Sequence, residues 1–120
     1  MNKKTIYFIG GALIGSTILV LALRKLLVRF RVASLANKEW RGWGSPTINI
    51  DGSIERKGGF EANKGFSDRI AEYWRVGTGE SFKGTDRDVA WSSAFISYLM
   101  KMAGAGEKFS YSPSHSTYIT

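Results

Sequence analysis

The hydrophobic pattern divides the chain into three parts. Residues 5–23, TIYFIGGALIGSTILVLAL, are an uncharged run of 19 residues, which as a helix rising 1.5 Å per residue is about 28 Å long, the thickness of a bilayer's hydrocarbon core. This run predicts one N-terminal transmembrane helix. Its polar members Thr5, Ser16 and Thr17 can return their hydroxyls to helix carbonyls, and Tyr7 and Phe30 stand where interface anchors are expected. Gly11 and Gly15 form a GxxxG pattern through which a partner helix can approach. Residues 26–35 alternate apolar and basic, extending the helix through the interface with snorkelling arginines. A cleaved signal peptide with its cut near Ser34-Leu35-Ala36 fits less well, because Arg24, Lys25, Arg29 and Arg31 lie between the apolar run and that cut.

Residues 36–62 are rich in turn formers, including Trp40-Arg41-Gly42-Trp43-Gly44-Ser45-Pro46 and Asp51-Gly52-Ser53, and read as a linker containing one short strand at Thr47-Ile48-Asn49-Ile50. The Trp40/Trp43 pair reads as interface or core filling in preference to a carbohydrate platform. A helix is predicted over 64–76, where Phe66, Ile70, Tyr73 and Trp74 share one face and Gly77 and Gly79 stop it. A second is predicted over 89–103, capped by Asp86 or Asp88 and closed by Gly104. On it Trp91, Phe95, Tyr98, Leu99 and Met102 form the apolar stripe, with Ala94, Ser97 and Lys101 opposite. At 100° per residue Ser92 lies on the border of that stripe and Ser93 is turned away. Residues 108–111 read as a strand or extended entry to a segment holding the only histidine, His115.

Charge adds one constraint. The net charge of +7 looks like a nucleic-acid signal, but residues 1–31 hold six basic residues, Lys3, Lys4, Arg24, Lys25, Arg29 and Arg31, and no acid; the rest holds 11 basic and 10 acidic side chains. The excess lies where anionic headgroups attract it, so no specific nucleic-acid partner is expected. By count of flanking cations the C-terminal part faces the cytoplasm. The absence of cysteine excludes a disulfide framework, a thiolate zinc site and a cysteine nucleophile. No HExxH, phosphate-binding loop or spaced carboxylate pair is present, and no cofactor or metal is implied.

Residues 71–119 resemble a bacterial domain family of unknown function that is itself similar to the papain-like cell-wall amidases and peptidases of the CHAP group. The resemblance is carried by Tyr73-Trp74 with Gly77, by Val89-Ala90-Trp91-Ser92-Ser93-Ala94-Phe95-Ile96-Ser97-Tyr98, by Ala103-Gly104, and by Phe109-Ser110-Tyr111-Ser112 leading to His115 and Tyr118-Ile119. In those hydrolases a Trp-Cys-x-x-Phe motif opens the central helix and a histidine follows an Ala-Gly break. The resemblance therefore implies Ser92 in the nucleophile's place and His115 in the base's. A hydroxyl ionises far less readily than a thiol, so serine in this position depends on a well-placed base.

The expected fold class is mainly α: a transmembrane anchor (1–35), a linker (36–62) and a small α(+β) domain (63–120) resembling the N-terminal half of a papain-like fold. The expected protein is single-pass, in a bacterial envelope or the internal membrane of a phage virion, with the lipid bilayer and peptidoglycan as partners and amide hydrolysis as its chemistry. The alternative is a non-catalytic membrane or virion component that packs against partner proteins.

Overall fold

A computed structural model of the chain describes residues 3–86 and 88–119, without the side chains of residues 3–14, 118 and 119. The order is a long helix α1 (Lys3–Gly42), a hairpin of β1 (Thr47–Ile48) and β2 (Ile54–Arg56), then α2 (Phe66–Gly77), α3 (Ser92–Met102) and the single turn α4 (Ser116–Ile119). The strands pair antiparallel, Thr47 with Arg56 and Ile48 with Ile54, with an irregularity between them. The hairpin loop is closed by Asn49 and Ser53, and Ser53 also donates from its amide and hydroxyl to Asp51 at 2.9 and 2.6 Å. Those bonds to Ser53 hold the Asp51 carboxyl below its ordinary range.

The transmembrane expectation over 5–23, and with it single-pass placement in a membrane, is corrected. Among the described residues no helix is long and apolar enough to cross a membrane. The physical reason is charge. From Gly15, where side chains are described, the apolar stretch reaches only Leu23 before Arg24, Lys25, Arg29 and Arg31 interrupt it, and each cation near a bilayer centre costs about 3 kcal/mol. The earlier part of the run, including Gly11, lies outside the described side chains; a side chain added at Gly15 would meet nothing within 4 Å.

The residues read as the end of the anchor and the start of the linker belong to one unbroken helix. The last turns of α1 place Val32, Leu35 and Ala36, followed by Trp43, against a core of Ile70, Tyr73, Trp74, Ala94, Tyr98 and Leu99. Spacings of three, four and seven residues put these α1 side chains on one face. Gly44, at φ +89°, ends α1: its amide and that of Ser45 return to the carbonyls of Arg41 and Trp40. Gly104, at φ +81°, ends α3 in the same way, with its amide on Lys101 and that of Ala105 on Met100. Both are Schellman closures, which need a left-handed residue that glycine supplies without strain.

The α2–α3 crossing sets the core. A Cβ added at Gly77 would lie 2.7 Å from both the Ala94 carbonyl and the Tyr98 amide, so the helices meet backbone to backbone. That approach corrects the expected stripe on α3. Its buried residues are Ser93, Ala94, Ser97, Tyr98 and Leu99, Trp91 and Phe95 are partly buried, and Met102 is 52 % exposed. Small side chains are buried because only they admit the facing helix. α3 also starts at Ser92 with no side-chain cap; the Asp86 carboxylate instead accepts from the Lys83 amide at 2.8 Å, a local bond that competes with capping. Residues 108–111 form no strand, and among the described residues no strand follows α3. The strands instead form a hairpin that precedes α2, and its first strand falls within the short strand expected at 47–50.

Candidate active site

Ser92 is the first residue of α3 and is exposed. Its Oγ lies 2.8 Å from Nε2 of His115, 23 residues later. The two residues that the resemblance singled out are thus brought together at hydrogen-bond distance. Among the described residues, no three His, Asp or Glu side chains are grouped so as to hold a metal ion.

Two buried serines of the same helix bond to the segment that leads to His115. Ser93 Oγ donates to the Pro113 carbonyl at 2.6 Å, and Ser97 Oγ both accepts from the Ser112 amide at 3.2 Å and donates to the Ser112 carbonyl at 3.3 Å. Ser112 Oγ in turn accepts from the Ser114 amide and meets Thr117 Oγ1 at 2.8 Å. Ser93, expected to turn away, is instead 2 % exposed. The expectation failed because it took the aromatic positions as the helix's buried centre, whereas the returning chain binds beside the small residues.

The start of α3 carries positive potential, since the first-turn amides have no carbonyl within the helix to receive them and the backbone dipoles add at that end. An anion forming beside Ser92 Oγ would be stabilised there. Behind Ser92, Trp91 stacks on Trp43 with centroids 5.3 Å apart and planes within 2°, and its Nε1 donates to Glu61 Oε2 at 2.6 Å. Trp43 Nε1 donates to the Tyr73 hydroxyl at 2.9 Å, Tyr73 donates to Glu39 Oε2, and Arg69 Nη1 donates to that same oxygen at 2.7 Å. A chain of contacts therefore runs from α1 through α2 to Trp91, the residue beside Ser92.

Burial, then the neighbouring Glu39 carboxylate, pushes the Tyr73 hydroxyl well above the ordinary phenol value. The hydrogen bond to Glu39 raises the Arg69 guanidinium. The cavity of about 310 Å³ lined by Glu39, Gly65, Arg69, Glu72, Tyr73 and Tyr98 lies beside this network and not at Ser92. Sequence reasoning missed Glu39, Glu61, Arg69 and the Ser93/Ser97 pair. A signal for Glu39 was available: Val32, Leu35, Ala36 and Glu39 have helical spacing that continues past residue 35. The two tryptophans of the turn-rich stretch separate in role, Trp43 packing on the core while Trp40 remains 42 % exposed with its Nε1 on the Pro46 carbonyl.

Residues 67–120 match the model of a bacterial family, DUF2272, described as an uncharacterized protein conserved in bacteria. That match agrees with the bacterial family of unknown function read from residues 71–119 and does not extend to the CHAP group. No curated protein and no solved structure matches the chain.

Proposed function

We propose that this chain hydrolyses amide bonds by acyl transfer through Ser92, with His115 as general base, and that its substrate is peptidoglycan. The observation that carries the chemistry is the 2.8 Å contact between Ser92 Oγ and His115 Nε2 at the start of α3. The substrate class rests on the likeness of Trp91-Ser92-x-x-Phe95 to the Trp-Cys-x-x-Phe motif of CHAP-type cell-wall amidases. Exposure of both side chains suits a polymeric substrate that cannot enter an enclosed pocket.

The helix dipole alone does not make a serine hydroxyl nucleophilic, so the base performs the activation. As Ser92 Oγ bonds to the scissile carbonyl carbon, its proton passes to His115 Nε2 and the carbonyl oxygen becomes an oxyanion facing the first-turn amides of α3. Collapse breaks the C–N bond, and His115 delivers the proton to the departing amine. Water then attacks the Ser92 ester, giving one proton to His115; the acid leaves and Ser92 Oγ recovers that proton. Each step keeps Nε2 within the roughly 2.6–3.2 Å that proton transfer requires.

The test is release of soluble fragments from purified peptidoglycan. Ser92→Ala should reduce it by at least about 10³-fold and His115→Ala by about 10²- to 10⁴-fold, while Ser53→Ala in the hairpin loop leaves it unchanged. Equal release by the parent and Ser92→Ala would refute the proposal and leave a packing role in its place.

A further inference from the structure

The geometry points to Ser93 and Ser97 as positioning residues that hold His115 against Ser92. Its consequence for turnover rests on the hydrolase reading above, whereas the positional claim rests on α3 alone. His115 is exposed and immediately precedes the single-turn α4. Two α3 side chains bond to the stretch just before it, Ser93 to Pro113 and Ser97 to Ser112.

The spacing has a physical logic. Ser93 and Ser97 are four residues apart and share one helix face. Ser92 is 100° away, on the exposed edge beside the line along which residues 112–115 run. Pro113 donates no backbone hydrogen bond and has a fixed φ, so its carbonyl is the group by which that residue can be held. From Pro113 to His115 is two residues, at most about 7 Å of chain. A shift of about 1 Å at the Pro113 carbonyl therefore reaches the imidazole with little loss, and a displacement of that size at a catalytic group costs about 10²-fold in rate. The residue beside the nucleophile, which contributes nothing to bond making, decides whether the base is in reach.

His115 is the only histidine, so its two ring nitrogens can be observed alone by 15N NMR in this chain, and each variant is compared with the parent at one fixed pH. With Ser92 as donor, the role the proposed base requires, Nε2 accepts and Nδ1 keeps the proton, giving two well-separated nitrogen signals. Ser92→Ala, which removes the hydroxyl facing Nε2, should shift both signals. The expected result is that Ser93→Ala moves them the same way, that Ser93→Thr restores them, and that kcat on peptidoglycan falls about 10²-fold while KM stays within about twofold. Should Ser93→Ala not fold, Ser97→Ala, which loosens Ser112 without touching Pro113, carries the same expectation. Parent-like nitrogen signals in Ser93→Ala and Ser97→Ala would overturn the positioning role whatever the activity. Signals unmoved by Ser92→Ala would remove the dyad contact, and with it both proposals. A Ser93→Ala shift in a protein with no turnover upholds the positioning role and rejects the hydrolase.

Discussion

Replacing Glu39 tests whether the end of α1 is part of the folded domain. Its side chain is 6 % exposed overall and receives Arg69 at 2.7 Å together with the buried Tyr73 hydroxyl. In Glu39→Ala both donors lose their acceptor. Breaking a buried pair from one side costs about 3–5 kcal/mol, and a stranded buried hydroxyl about 1–3 kcal/mol. The two penalties share one carboxylate and do not add, and Arg69, whose side chain is 35 % exposed, can partly rehydrate. The expected loss is therefore about 3 kcal/mol. Glu39→Gln keeps an acceptor but not the charge and should lose about half as much. Urea unfolding followed by tryptophan fluorescence reads both, since Trp43 and Trp74 lie in or against the same core. A cycle with Tyr73→Phe should show coupling of at least about 0.5 kcal/mol. A Glu39→Ala midpoint within about 0.5 kcal/mol of the parent would refute the argument and detach α1 from the domain's stability.

Three further outcomes follow from the same packing. Gly77→Ala forces a Cβ to 2.7 Å from the Ala94 carbonyl and Tyr98 amide, and should destabilise by about 1–3 kcal/mol despite the gain in helix propensity; a more stable variant would disprove the close crossing. Leu99→Ala, at a site 3 % exposed, should cost about 2–5 kcal/mol, whereas Met102→Ala, at 52 % exposure, should stay within about 0.5 kcal/mol; equal costs by denaturation would restore the aromatic-centred stripe. The Tyr73 hydroxyl titrates above its ordinary 10.0 in the folded chain, so the unfolded chain releases that proton first as pH rises. Its contribution is whole below pH 10.0 and is lost as pH climbs toward the folded value. Phenolate absorbance should therefore keep a late component from Tyr73 beside those of Tyr98 and Tyr111, which burial also raises, and Tyr73→Phe should reduce that late amplitude; an unchanged late amplitude would contradict the burial.

The elements of the C-terminal half were legible because local rules dominate there. Ile70, Tyr73 and Trp74 have helical spacing, and Gly104 stops α3 where its left-handed backbone is needed. The order Trp91-Ser92 followed by a lone histidine was legible as a pattern. The reading over 5–23 went astray because a run of apolar residues is judged by its own length, while the helix that contains it continues to Gly42 and carries Arg24, Lys25, Arg29 and Arg31 among its described residues. Residues 36–42 went astray in the opposite sense, since the turn signals at Gly42 and Gly44 end a helix that polar Glu39 helps to dock.

By itself the sequence determined that α2 and α3 are helices and where they stop, and its resemblance pointed to Ser92 and His115. It left open which face of α3 is buried. An isolated helix of this composition would bury its large aromatics, and only the approach of α2, backbone to backbone at Gly77, makes the small residues Ser93, Ala94 and Ser97 the interior ones. Once buried, the two serines must satisfy their hydroxyls. The partners within reach are the carbonyls of Ser112 and Pro113 and the Ser112 amide. The meeting of Ser92 and His115 across 23 residues is thus a tertiary outcome: burial turns the neighbouring hydroxyls inward, and their hydrogen bonds bring the histidine back.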